Sequence, residues 1–162
     1  MSVASWVSVD AVLAALDAVP DPEMPPVSVG ELGMVVDVTV SAGGEVDVEL
    51  VPTFSGCPAT AVIAQDTAAA VRALPGVTSV EVRFTNRVVW TPERITAAGR
   101  DKLRAFGIAP PGSGQSLLQI GGTTCPVCGS RNTVADSPFG ATPCRNTNFC
   151  NACRNPFEAI KP

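Results

Sequence analysis

Two cysteine pairs, Cys125-Pro126-Val127-Cys128 and Cys150-Asn151-Ala152-Cys153, constrain this 162-residue chain more than any other feature. Five of its six cysteines fall in the last 38 residues, and 21 residues separate Cys128 from Cys150. A two-residue gap lets both thiolates of a pair converge on one ion, and two such knuckles on neighbouring hairpins complete a tetrahedron. The segment also holds few large apolar residues and needs a staple to fold. A tetrathiolate Zn²⁺ is therefore expected on Cys125, Cys128, Cys150 and Cys153, with an iron centre or a redox dithiol as the alternatives. A closed S₄ site offers no open coordination position, so the expected role is structural, as in a zinc ribbon.

The chain contains no histidine and no tyrosine. That excludes a Ser-His-Asp triad, a Cys-His pair, a two-His carboxylate iron site and a HExxH zinc helix within it. Any internal general base must be Asp, Glu, Lys or thiolate. The formal net charge is −4 and the pI about 4.7, which disfavours electrostatic binding to bulk nucleic acid. The charges are uneven: residues 1–71 carry ten acids and no base, whereas 72–104 carry seven bases and three acids. Residues 105–122 are uncharged and the remainder is +2. Such asymmetry reads either as solvated faces or as an acidic surface for a basic protein partner.

The N-terminus lacks a basic region, and Asp10 and Asp17 interrupt its apolar stretch, so no signal peptide is expected. No run of about 18 apolar residues predicts a membrane span. A cytoplasmic location follows as the expectation. In that compartment thiols stay reduced, and CxxC pairs point to metal or redox chemistry ahead of disulfides.

The periodicity predicts an α+β domain followed by a zinc ribbon. Ser8 caps a helix with apolar positions Val9, Val12, Leu13 and Leu16, stopped by Pro20 and Pro22. Asp21-Pro22-Glu23-Met24-Pro25-Pro26 reads as a rigid, carboxylate-bearing loop. Alternation over Met34–Val40 and Val46–Leu50, joined by Ser41-Ala42-Gly43-Gly44, predicts a hairpin. A second helix follows Ser55-Gly56-Cys57-Pro58, with Pro58 in its first turn and Ile63, Ala70, Val71 and Leu74 buried. Val80, Val82 and Phe84 mark a third strand. A last helix starts near Thr91-Pro92, buries Ile95, Leu103 and Phe106, and ends at Gly107. Residues 1–108 thus form a small helix and three-strand sandwich, 109–122 a Pro/Gly-rich linker, and 123–162 the ribbon. Within the linker, Leu117, Leu118 and Ile120 are expected to dock.

Two further thiols stand out. Cys57, between Gly56 and Pro58 at an expected helix start, is placed where N–H groups and the helix dipole favour thiolate. It reads either as a handler of soft metal or clusters or as a buried core cysteine. Cys144, the fifth sulfur of the tail, is either a spare buried thiol or an alternative ligand or transfer thiol beside the ribbon site. Asp21 and Glu23 either tune or contact a working face with Cys57, or serve only to close their Asp-Pro turn.

Asp21-Pro22-Glu23-Met24-Pro25, Glu31-Leu32-Gly33-Met34-Val35 and Pro52-Thr53-Phe54-Ser55-Gly56-Cys57-Pro58-Ala59 resemble the domain of SufT-type iron–sulfur assembly factors. Trp90-Thr91-Pro92, Gly107-Ile108-Ala109-Pro110-Pro111, Phe139-Gly140-Ala141-Thr142-Pro143-Cys144 and Asn155-Pro156-Phe157-Glu158 continue the match. With the added ribbon, the chain resembles the PaaD (or PaaJ) family, accessory subunits of the phenylacetyl-CoA epoxidase (oxygenase) system of phenylacetate degradation. That resemblance implies a non-catalytic maturation factor. It would assist assembly of the Fe–S cluster of the reductase or the di-iron centre of the oxygenase, with a transient cluster or iron as cargo. Its partners would be those subunits, not nucleic acid or membrane. Asp21, Glu23 and Cys57 would be the functional residues of the first domain, Cys125, Cys128, Cys150 and Cys153 the zinc ligands, and Cys144 the family's extra cysteine. Two departures are visible: Glu31 stands where Asp is commoner, and the sequence ends Ile160-Lys161-Pro162 instead of in Cys or His.

Two rival functions compete on residues alone. A thiol oxidoreductase would use Cys57 and Cys144, but Cys57 lacks a CxxC partner and no thioredoxin-like pattern surrounds it. A ribbon-type nucleic-acid binder would have only Arg131, Arg145, Arg154 and Lys161 as bases in the tail.

Overall fold

Ser8 opens the first helix as expected: its hydroxyl accepts a hydrogen bond from the Ala11 N–H at 3.1 Å, capping α1 (Val9–Leu16). The computed structural model that shows this describes residues 6–111 and 122–161. Its contacts divide into two units, Met1–Thr53 with Pro58–Trp90, and Phe54–Cys57 with Thr91–Pro162. Leu117, Leu118 and Ile120 lie outside the described residues.

In the first unit, α1 buries Val12 and Leu16, while Val9 and Leu13 of the same apolar pattern stay partly exposed. The proline-rich stretch is more ordered than a loop. β1 (Pro20–Asp21) pairs antiparallel with β2 (Met24–Ser28) as a two-stranded sheet. A sheet of two strands consists of edges alone, so Pro25 and Pro26, both exposed, remove no needed ladder bond. The hairpin forms as the alternation predicts: β3 (Val35–Val40) runs antiparallel to β4 (Glu45–Leu50). β5 (Ser79–Phe84) then pairs parallel to β4, with α2 (Thr60–Arg72) as the crossover, giving strand order β3-β4-β5. α1 packs on β3 and α2, and α2 on β5.

The core of this unit follows the period-2 pattern. Val46, Val48 and Leu50 face inward, against Leu16, Leu32 and Ile63, all under 2% exposed. Gly44, at φ +80°, closes the hairpin turn where a Cβ would run into the Gly76 carbonyl. The Thr78 N–H then donates to the Gly44 carbonyl at 2.8 Å, so the turn after α2 locks onto the hairpin. α2 begins later than expected: its N-cap is Ala59, and Pro58 precedes the cap instead of sitting in the first turn. It buries Ile63, Thr67 and Val71, not Ala70 and Leu74.

The expected last helix splits. Pro92–Arg94 forms a 3₁₀ turn, Ile95 is extended, and Thr96 caps a fresh helix α3 (Ala97–Ala105) by accepting from the Gly99 N–H at 3.0 Å. Leu103 and Ile95 are buried, but Phe106 is 51% exposed. α3 belongs to the second unit, with β6 (Ile108–Ala109), β7 (Thr133–Ser137), β8 (Arg145–Cys150) and β9 (Pro156–Ile160). Their sheet order is β6-β9-β8-β7, parallel for β6–β9 and antiparallel elsewhere. Ala109, read from sequence as the first linker residue, is therefore a strand residue paired with Ala159. One core cluster of this unit is small: Ala109, Cys125, Cys150, Phe157 and Ala159.

On the outer face of the first sheet, Glu49 is only 8% exposed and accepts from both Nε and Nη2 of Arg87. That hydrogen-bonded guanidinium, helped by Thr85 and Arg83 against the opposing pull of burial, holds the Glu49 carboxyl below its ordinary value. A depressed folded-state pKa contributes stability that is present above the unfolded value, about 4.3, and lost as pH falls through the folded one. The melting temperature should therefore drop on acidification below about pH 4.3, and Glu49→Gln should lose this part of the pH dependence. Identical pH profiles for the two proteins in thermal melts would remove Glu49 from the account.

Candidate metal centre and thiol sites

The two knuckles are built alike. In the first, the Cys125 carbonyl accepts from the Gly129 N–H and the Cys125 N–H donates to the Ser130 carbonyl, both at 2.9 Å. In the second, Cys150 makes the same pair of bonds with Arg154 and Asn155, again at 2.9 Å. Each turn closes through a left-handed residue, Gly129 at φ 74° and Arg154 at φ 62°. Glycine adopts that conformation freely; for Arg154 it costs about 1–2 kcal/mol. The Arg154 guanidinium lies 5.4 Å from the Phe149 ring centroid, a cation–π contact that offsets part of the cost.

The result brings Cys125, Cys128, Cys150 and Cys153 together, with all four sulfurs within 4.8 Å of one another. The sulfurs of Cys125 and Cys153 are 3.7 Å apart and those of Cys128 and Cys150 3.6 Å. A regular tetrahedron with metal–sulfur bonds of about 2.3 Å has edges of about 3.8 Å, so the donor set fits a tetrathiolate ion. The same separations are far too long for disulfides. Cys125 and Cys150 are buried and Cys128 is exposed.

Without a cation, these thiols ionise unequally. The Asn155 side chain, with its backbone N–H, outweighs burial and holds Cys153 down at about 6. At Cys128 the Ser130 N–H acts downward, but burial and hydrogen bonds with Cys150, Cys153 and Cys125 prevail and push it up to about 12. Four thiolates are compatible with one another only around a positive ion.

Cys144 is close in sequence but is not part of this sulfur cluster. It is buried, 3.2 Å from the Thr142 hydroxyl, and its carbonyl accepts from the Lys161 N–H at 2.9 Å. Cys57 is half-buried and ends a turn in which its N–H donates to the Phe54 carbonyl at 3.0 Å. It lies three residues before the first residue of α2, outside the capping positions that the sequence suggested. Phe54–Cys57 falls in the second unit, whereas Asp21 and Glu23 fall in the first.

Asp21 has a definite local task. Buried in β1, its Oδ1 accepts from the N–H groups of Glu23 and Met24 at 2.8 and 3.0 Å, closing the turn to β2. Glu23 is half-buried. Sequence reading passed over Glu31, whose carboxylate accepts from the Ser28 N–H at 3.0 Å while the Ser28 hydroxyl accepts from the Glu31 N–H at 3.1 Å. The signal was present as Ser-x-x-Glu, the reciprocal capping box. A buried Arg145, bonded at 2.6 Å to Glu158 and at 2.8 Å to the Thr142 hydroxyl, was also missed as an organiser of the 140–144 loop.

Known proteins share both parts of the chain. The family described as "Iron-sulfur cluster assembly protein" matches residues 9–82, and "PaaD zinc beta ribbon domain" matches 109–161. An Escherichia coli protein, a subunit named for "1,2-phenylacetyl-CoA epoxidase", is 36% identical over 152 residues, covering 91% of this chain and 89% of the relative. The "Iron-sulfur cluster carrier protein" of Synechocystis sp. is 46% identical over 68% of this chain, which spans 32% of that protein. Among solved structures, a "Domain of Unknown Function DUF59 from Bacillus anthracis" has a TM-score of 0.55 and 29% identity, covering 58% of this chain and 89% of that one. A "Conserved Hypothetical Protein" from Thermotoga maritima has a TM-score of 0.54 and 35% identity, covering 64% and 98%. Among the described residues, no helix is long and apolar enough to cross a membrane.

Gly129 offers a clean test of the knuckle geometry, because a Cβ there would meet nothing within 4 Å. Gly129→Ala should cost about 1–2 kcal/mol through backbone conformation alone, read as a lower melting temperature of the metal-loaded protein. An unchanged melt would show that the left-handed turn is not what shapes this knuckle.

Proposed function

The chain belongs to the PaaD family of 1,2-phenylacetyl-CoA epoxidase subunits, and from that membership we propose that it is a non-catalytic maturation factor for the oxygenase. The observation that carries the reading is the union, in one chain, of an iron–sulfur assembly domain with a ribbon whose four sulfurs suit one structural ion. Its clients are subunits of the epoxidase or its reductase, and its place of action is the cytoplasm. The cargo is an Fe–S cluster or iron destined for the client, handled through protein contacts and the Cys57 thiolate, with Cys144 as a second thiol.

Zn²⁺ is the metal we assign to Cys125, Cys128, Cys150 and Cys153. It has no redox chemistry, takes four thiolates readily, and would leave no position for a substrate. When bound, it supplies cross-linking of the two knuckles. The chain's own residues supply the rest: backbone N–H groups of Ser130 and Asn155 aimed at Cys128 and Cys153, and left-handed turns that set the sulfurs. Of the first domain's carboxylates, Asp21 acts by holding the β1–β2 turn, and Glu23 is the one we assign to contact the client.

Elemental analysis of purified protein should give close to one zinc per chain. Cys150→Ser should lose the zinc and the β7–β9 sheet while Trp90 keeps its native fluorescence. That indole is 9% exposed and donates to the Leu32 carbonyl at 2.8 Å, inside the first unit, so it reports that unit's fold. A zinc-free protein with an intact ribbon would refute the metal assignment.

Cys57→Ser tests the thiol. Co-expressed with the oxygenase, the variant should retain its fold and zinc, yet yield an oxygenase with reduced iron or cluster content. A destabilised variant beside a fully loaded, active oxygenase would make Cys57 a packing residue and end the thiolate reading.

A further inference from the structure

The second unit holds an open recess of about 460 Å³ that the metal centre does not use. Its walls are Phe54, from the turn that ends in Cys57, and Phe139, with the Gly140–Pro143 loop and Lys161 completing the lining. The rings are unusually available, Phe54 at 41% and Phe139 at 77% exposed. The Lys161 ammonium stands 5.8 Å from one ring centroid and 5.9 Å from the other, between the two.

This arrangement is held in place, not left loose. Glu158 accepts from the Arg145 guanidinium at 2.6 Å and from the Ala141 N–H at 2.5 Å. Arg145 Nε donates to the Thr142 hydroxyl at 2.8 Å, and the Thr147 hydroxyl donates to the Phe139 carbonyl at 2.9 Å. A Cβ at Gly140 would lie 2.9 Å from the Glu158 carboxylate, so the loop can approach that closely only through glycine. An exposed aromatic on a pinned loop loses little conformational freedom on binding.

Charge selects the occupant. The second unit carries eight Lys and Arg against four Asp and Glu, a net +4, while the first carries three against eleven, a net −8. Resting on the maturation reading, we propose that this recess docks an acidic segment of a client protein, its carboxylate pairing with Lys161 and a neighbouring apolar side chain packing on Phe139 and Phe54. Buried aromatic anchors beside one cation are the chemistry of an interface hot spot. A nucleic acid fits less well, since the recess has one cation and the whole chain is anionic.

The test uses the full-length, zinc-loaded chain and a fluorescein-labelled pentapeptide alternating glutamate and phenylalanine, followed by fluorescence polarisation. Saturable binding that weakens at least tenfold in Lys161→Gln and in Phe139→Ser, with zinc content and melting temperature unchanged, supports the proposal. No saturable binding, equal binding by the variants, or tighter binding of a ten-nucleotide oligothymidylate overturns it. Purified epoxidase subunits separate this surface from the functional reading. If the wild type binds a subunit and both variants bind it equally, the recess proposal falls and the maturation reading stands. If the wild type binds no subunit while the peptide still depends on Lys161 and Phe139, the maturation reading falls and the recess stands.

Discussion

Four sulfurs within 4.8 Å cannot all carry charge unless a cation sits among them, and the second unit is organised around that condition. Like charges about 4 Å apart repel by about 1 kcal/mol even in water and several times that in a protein surface layer. The unit has little else to offset such a cost. A core cluster of Ala109, Cys125, Cys150, Phe157 and Ala159 contains two of the ligands and only one large side chain. The chemistry that brings the knuckles together therefore also fixes the β8 end, the β9 start and, through the sheet, β6.

The assembly-type motif looks different once its hydrogen bonds are followed. Asp21 and Glu31 both accept from nearby backbone N–H groups, Asp21 to turn β1 into β2 and Glu31 to close a reciprocal box with Ser28. Aspartate and glutamate differ by one methylene, and the longer side chain suits the box, which explains why Glu31 is workable at that place. The turn Phe54–Cys57 has a double character: one end presents an aromatic to the recess, the other a half-buried thiol.

Much of this architecture was legible in the sequence, and the gaps have physical causes. The β3–β4 hairpin and β5 could be read because one face of each is buried, so polarity alternates. The ribbon could be read because ligand spacing is set by the ion's geometry. β1 and β2 were hidden by prolines that a two-stranded sheet tolerates. The split before α3 turned on Thr96, a cap three residues ahead of Gly99 that lay inside an apparently continuous helical pattern. β6 was hidden because two residues carry no periodicity; only its partner, β9, makes it a strand. The sulfur constellation was fully visible, whereas the recess was not. Its walls come from residues 85 positions apart, Phe54 and Phe139, and no local pattern joins them.

The parallel pairing of β6 with β9 also sets an order of events during synthesis. Ile108 and Ala109 find their partners only in Glu158 and Ala159, 50 residues later. At about 5–20 residues per second, translation leaves β6 unpaired for about 3–10 s after it is made. Cys125 and Cys128 emerge within that interval, so the first knuckle meets the cellular metal pool before the second exists. Closure of the sheet and completion of the sulfur tetrahedron then coincide, because Cys150, Cys153 and β9 leave the ribosome almost together. The nascent chain thus passes through a stage with two thiols ready and two missing, at which oxidation competes with metal capture.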